Sequence, residues 1–157
     1  MIARKVKDSR VIMAHQMLPI DANAMGNVHG GVIMKLIDEA AGVVAIRHSG
    51  NLAVTASIDA LSFHHPVFVG DLLIIKASLN MTGTTSMEVG VRVEAENLLT
   101  GKIMHTASAY LTFVAVKQDS KPAKIPDLEL VTDKERNRNK EAIERRKIRL
   151  AKLRDRP

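Results

Sequence analysis

The sequence predicts an α+β fold: one long central helix wrapped by an antiparallel sheet of about five strands, plus a charged C-terminal helix. Three observations carry the prediction. Residues from Gly30 to about His48 are mostly apolar and free of proline over roughly five helical turns. From Leu52 onward the apolar period drops to two, the period of a strand with one covered face. The links between these strand-like runs are short and contain Gly or Asn, which suits antiparallel hairpins rather than crossovers.

The elements follow in order. RVIMAHQML, residues 10–18, is β-compatible and stops at Pro19; DANAMGN then supplies turn and capping residues ahead of the helix. SGN at 49–51 ends the helix, with Gly50 as its C-terminal cap. LAVTASIDALSF is a long strand, and HHPVFVGD turns the chain at Pro66 and Gly70. In LLIIKASLNM, the residues Ile75, Ala77, Leu79 and Met81 share one face. SMEVGVRVEAE sets Met87, Val89, Val91, Val93 and Ala95 against Glu88, Gly90, Arg92, Glu94 and Glu96. After NLLTGK the last long strand is IMHTASAYLTFVAV. KPAKIPDLEL, with two prolines, reads as a linker along the surface. The tail from Thr132 reads as a helix, weakly amphipathic, either solvated or facing another subunit, with Glu141 and Arg145 spaced as an ion pair.

A helix that is apolar almost all round must be covered, and long strands leave unpaired edges. The sheet is therefore expected to curve around the helix, and edge-to-edge pairing makes a homodimer the natural state.

Composition narrows the function. There is no cysteine, so disulfides, thiol nucleophiles and thiolate zinc sites are excluded, and a reducing, cytoplasmic location is expected. The six histidines show no metal-ligand spacing, so no metal is expected. No run of eighteen apolar residues is present, so neither a membrane span nor a membrane partner is expected. The net charge of +6 lies wholly in residues 132–157, and residues 1–131 are neutral. With aromatic residues at only 3%, a nucleic-acid partner is not expected.

The stretch from Asp21 to Ala40 holds the candidate chemistry. At about 100° per residue, Gly31, Met34, Ala41, Gly42 and Ala45 point within roughly 40° of Asp38. One carboxylate thus lies in a stripe of small residues that a slender ligand or another backbone can approach. Glu39 is rotated off that stripe and sits one turn from Lys35, as a solvated ion pair would. Gly30 and Gly31 open the helix, where the first N–H groups lack internal partners and carry the positive end of the dipole: a candidate oxyanion hole. Spacing alone leaves Asp38 open between an interface acid and a catalytic one. Asn23 and His29 are likewise open between local capping and ligand contact.

DANAMGNVHGGVIMKLIDEAAG, VTASIDALSFHHPVFVGD and TSMEV together resemble the hotdog-fold acyl-CoA thioesterases, the cytosolic acyl-CoA hydrolases, over about residues 10–116. The resemblance implies a hotdog domain at 1–120, a linker at 121–131 and a basic helical tail at 132–157. It implies hydrolysis of acyl-CoA to a free fatty acid and coenzyme A without a cofactor, coenzyme A being part of substrate and product. Asp38 matches the catalytic acid, as general base or nucleophile, and Asn23 the catalytic asparagine; Gly31 and Gly30 amides would polarise the thioester carbonyl. The family works as dimers, which implies that Asn23 of one protomer faces Asp38 of the other, and the resemblance further suggests a trimer of dimers. Pantetheine would lie along Val54, Thr55, Ala56 and Ser57. His29, His64, Arg92, Thr84, Thr85 and Ser86 are the remaining candidate substrate contacts. Thr84 departs from the family in lacking a basic side chain. Two alternatives remain open on the residues: a non-catalytic acyl-CoA sensor and a hotdog hydratase or dehydratase.

Overall fold

The computed structural model describes residues 1–156. A two-residue strand β1 (Arg4–Lys5) and a single turn α1 (Val6–Ser9) precede β2 (Val11–Gln16). A 3-10 turn at Pro19–Asp21 and a loop lead to α2 (Gly30–Ser49), followed by β3 (Leu52–Phe63), β4 (Leu72–Thr82), β5 (Ser86–Glu96) and β6 (Ile103–Val116). A short β7 (Leu128–Glu129) pairs in parallel with β1, and α3 (Asp133–Arg154) follows.

The long strands form one antiparallel sheet in the order β2-β4-β5-β6-β3. β2 is shorter than the β-compatible run because Met17 leaves it, bonding through its N–H and carbonyl to Asp71 and Gly70. The α2 helix ends where Gly50 enters the left-handed region at φ 66°, closing its N–H on Ile46. Ile33, Leu36, Ile37, Ala40, Ala41, Val44 and Ala45 of α2 join one buried cluster with the odd-numbered faces of β4, β5 and β6. Each large aliphatic side chain withdrawn from water there contributes roughly 1.5–3 kcal/mol. The alanines let helix and sheet approach closely.

The tail behaves differently from a solvated arm. By strand alternation, Glu88, Tyr110 and Thr112 point away from α2, and α3 lies over them on that outer face. Arg145 donates to both oxygens of Glu88 at 2.7 and 3.1 Å and stacks over the Tyr110 ring at 3.7 Å. Asn80 completes the cluster, donating through Nδ2 to Glu88 at 3.0 Å, while Asn139 of α3 donates to the Asn80 carbonyl. Glu88, which alternation places on a wet face, is fully buried. Its main partner is 57 residues away, so local spacing shows only the longer 4.0 Å contact between Glu141 and Arg145. Burial does not free Arg145: the bonds and charge of Glu88 hold its guanidinium above the ordinary range despite the opposing cost of desolvation.

The sheet leaves two edges. β2 is short, whereas β3 presents twelve residues with Leu52, Val54 and Ile58 exposed on it. A long apolar edge of this kind invites pairing with a further strand.

Candidate active site

The predicted site residues fall into two groups within the chain. The first surrounds the start of α2. Asn23 turns its Oδ1 into its own loop, accepting from the N–H of Met25 at 2.9 Å and of Asn27 at 3.2 Å. Such Asx bonding lets a short polar side chain shape a turn without a strand partner. Its Nδ2 donates to nothing among the described residues. The loop is tied to the β3–β4 connection, Val28 N–H bonding Val67 at 2.8 Å. Between them lies a cavity of about 390 Å³ lined by Asn23, Asn27, Gly30, Ile33, Phe63 and His64, among others.

His29 stands at the N-cap of α2 but makes no side-chain cap. Its carbonyl takes the amides of Val32 and Ile33, so the Gly30 and Gly31 amides are the ones without a capping side chain. A side chain added at Gly31 would meet nothing within 4 Å. The chain's own packing therefore does not require glycine there, and the open space is available to a ligand or a partner. His29 itself is exposed and does not line the cavity.

The second group lies further along α2. Thr55 Oγ1 donates to Asp38 Oδ1 at 2.6 Å, joining β3 to the helix. Asp38 is half-buried, whereas Glu39 is exposed and 4.0 Å from Lys35, as their helical angles imply. Sequence reasoning assigned Thr55 only a backbone role; its hydroxyl bond to Asp38 has no sequence signal, because it depends on how β3 crosses α2. Val54, Ala56 and Ser57 flank it on the edge strand, and Ala56 is an extra residue in the ladder with β6.

The β4–β5 hairpin belongs to this second end of the sheet, since Ser86 and Val54 pair with the same residue, Val114. The carbonyls of Thr84 and Thr85 accept from Ile125 and Ala115, so Thr85 holds the end of β6 and Thr84 the chain beyond it. Beside them a second cavity, of about 380 Å³, is lined by Thr82, Gly83, Thr84, Lys124 and Arg146, with Met1, Ile125 and Asp127. Lys124 and Arg146 are cations that sequence spacing did not connect with Thr84.

Arg92 lies on the outer face, 3.6 Å from Glu94 and 3.3 Å from His105 Nδ1. The His105 ring meets His64 at 4.8 Å between centroids. Burial, then the neighbouring Arg92 charge, lower the pKa of His105, while Lys76 and Arg92 lower that of Glu94. Arg92 thus reaches the cavity rim only through His105 and His64. Among the described residues no three His, Asp or Glu side chains gather as a metal site requires, and no helix is long and apolar enough to cross a membrane.

Asp38 does not line the cavity that holds Asn23. Eight residues of helix separate it from Gly30, a rise of about 12 Å. Each chain therefore carries both halves of the candidate chemistry without joining them.

The Thioesterase superfamily pattern matches residues 25–102. Protein VdlD of Helicobacter pylori is 38% identical over 141 residues, covering 90% of this chain and 80% of its own length. An apo-hexameric acyl-CoA thioesterase superposes with a TM-score of 0.95 at 38% identity, over 99% of this chain and 100% of that one. Acyl-CoA hydrolase from Staphylococcus aureus, solved with butyryl coenzyme A, coenzyme A and coenzyme A disulfide, superposes with a TM-score of 0.89 at 33% identity, over 96% and 92% of the two chains. That hydrolase has also been solved with an asparagine, an aspartate and a threonine each replaced by alanine. The family pattern over residues 25–102, with sequence agreement over 90% of this chain and fold agreement over 99% of it, places this chain in the Thioesterase superfamily.

Proposed function

We propose that the protein is an acyl-CoA thioesterase, a homo-oligomer hydrolysing acyl-CoA to a fatty acid and coenzyme A at sites shared between two chains. The observation that carries this reading is the Thr55–Asp38 hydrogen bond: it occupies one carboxylate oxygen and leaves the other for a reacting water or acyl carbon. The three residues replaced in the Staphylococcus aureus hydrolase have the same spacing in sequence as Asn23, Asp38 and Thr55.

The thioester carbonyl accepts from the Gly31 amide, with Gly30 beside it, and the helix dipole stabilises the negative charge that develops on oxygen. Asn23 of one chain turns its free Nδ2 toward that carbonyl or the attacking water. Asp38 of the other chain takes the proton of a water that adds to the carbonyl carbon; the C–S bond then breaks, and the thiolate of coenzyme A leaves and is protonated. Direct attack by Asp38 would instead form an anhydride that water opens. A single turnover in heavy-oxygen water separates the two: water attack puts the label in the fatty acid, whereas direct attack puts it first in Asp38.

Antiparallel pairing of β3 with its copy would bring the Thr55 end of one strand beside the Phe63 end of the other, uniting Asp38 with the partner's helix start twice per dimer. Hexamers then form as trimers of dimers. Coenzyme A runs along Val54–Ser57; Thr84, Thr85 and Ser86 lie at the Asp38 end, while His64 and Arg92 lie at the cavity end. His29 borders the carbonyl site. No cofactor enters this chemistry. A cytoplasmic location suits a chain with no cysteine.

Release of free thiol from a panel of acyl-CoAs is expected for the wild type and is expected to fall at least a hundredfold in Asp38→Ala and Asn23→Ala. Full turnover by Asp38→Ala would overturn Asp38 as the hydrolytic group. Tight binding of acyl-CoA with no turnover in the wild type would make the protein a sensor.

A further inference from the structure

The strand that carries Thr55 has an interrupted hold on the sheet. Its register against β6 slips between Thr55 and Ser57 and again between Ile58 and Ala60, so Ala56 and Asp59 have no opposite residue. Each such bulge bends a strand and breaks its ladder locally. On its other side β3 has no neighbour within the chain. Backbone pairing alone leaves the aim of Thr55 weakly determined.

Side-chain bonds centred on Asp59 close this gap from the outer face. Ser57 Oγ donates to Asp59 Oδ1 at 3.0 Å, and Thr112 Oγ1 of β6 donates to Asp59 Oδ2 at 2.9 Å. Arg149 Nη1, from α3, donates to the same Oδ2 at 2.7 Å and to Thr112 Oγ1 at 2.7 Å. The Asp59 and Arg149 side chains are only 11% and 17% exposed, so water and salt screen the pair weakly.

We infer that Asp59 and Arg149 are positioning residues for thioester hydrolysis: from the face of the sheet opposite α2 they hold the bulged part of β3, and with it the aim of Thr55 at Asp38. The inference rests on Asp38 being the hydrolytic carboxylate. Neither Asp59 nor Arg149 lines either cavity or bonds to Asp38 or Thr55, so any influence on turnover passes through β3.

The test is steady-state acyl-CoA hydrolysis by the full chain carrying Arg149→Met, Arg149→Lys, Asp59→Asn, Thr55→Val and the double variant Thr55→Val/Arg149→Met, with melting temperature measured alongside. Arg149→Met is expected to lower kcat about tenfold and to leave KM within about twofold, because a misaimed group costs rate more than binding. Arg149→Lys recovers part of the rate, its ammonium reaching Asp59 as a single point charge. The double variant is expected to be no slower than Thr55→Val, since both changes act through one bond. Losses that multiply in the double variant overturn the inference. So does a normal kcat in an Arg149→Met protein that melts like the wild type, or an effect confined to KM. Should Arg149→Met fail to fold, Asp59→Asn alone and combined with Thr55→Val supplies the same comparison. Two controls separate the levels: no thiol release by the wild type removes the thioesterase reading, and retained turnover in Asp38→Ala removes Asp38 as the hydrolytic carboxylate and this inference with it, whereas a dead Asp38→Ala beside an unaffected, well-folded Arg149→Met removes the positioning role alone.

Discussion

A carboxylate does chemistry only when its orientation is held, and at the residue scale Thr55 holds Asp38 through a 2.6 Å bond. A second residue-scale constraint sits on the outer face. A side chain at Gly90 would come within 2.6 Å of Asn80 Nδ2, the group that bonds Glu88. Gly90→Ala is therefore expected to cost about 1–3 kcal/mol through displaced, buried polar atoms, lowering the melting temperature by several degrees. His48 supplies a third case. It is buried, its Nε2 donates to the Pro126 carbonyl at 2.9 Å, and its Nδ1 has no partner. Burial is the main reason its pKa lies below the ordinary 6.5. The unfolded chain then takes up the proton first as pH falls, so this contribution is complete above about 6.5 and declines as pH drops toward the lowered folded value. The melting temperature is expected to decrease between pH 7.5 and pH 5.5, and His48→Gln to flatten that slope; an equal slope in both proteins would remove His48 as its source.

At the scale of elements, α3 is attached by charge as much as by apolar contact. Glu88 is wholly buried, and Arg145 neutralises it with two hydrogen bonds and a stacked Tyr110. Removing one partner of such a pair leaves an uncompensated buried charge, which costs about 3–5 kcal/mol. Arg145→Met is expected to lose about that much in chemical denaturation. Glu88→Gln/Arg145→Met is expected to recover part of the loss, because no unpaired carboxylate then remains. An additive double variant would show that the two side chains are not coupled. Ala142 of α3 is buried, whereas Ile143, Ile148, Leu150 and Leu153 stay exposed, so packing alone does not explain how the helix docks.

At the scale of the whole molecule, the two halves of the candidate chemistry stand apart in each chain, and the proposed dimer would bring them together across its two-fold axis. Mixing Asp38→Ala with Asn23→Ala chains is expected to restore about a quarter of wild-type turnover: random assortment makes half the dimers mixed, and one of the two sites in each is complete. No restoration after subunit exchange would confine each site to one chain. Ile58→Lys, on the exposed part of β3, is expected to yield monomers by light scattering and to abolish turnover with the fold retained.

Much of this was legible along the chain. The extents of α2 and β3, the face of β5 turned to the core and the separation of Asp38 from Glu39 follow from periods of 3.6 and two, and the Gly50 cap from the freedom of glycine to turn left-handed, all of them local properties. Charge counting likewise located the basic excess in the tail. Sequence alone thus determined the long elements, the buried helix and the residues worth testing, but not the short β1, α1 and β7. Tertiary structure decided what those residues touch: Thr55 on Asp38, Arg145 on Glu88, Arg149 on Asp59, and the cavity that includes Asn23 but not Asp38. The physical reason is range, since periodicity reports which way a side chain points, whereas a partner 17, 57 or 90 residues away is set by the bulges and crossings that bring distant strands and helices together.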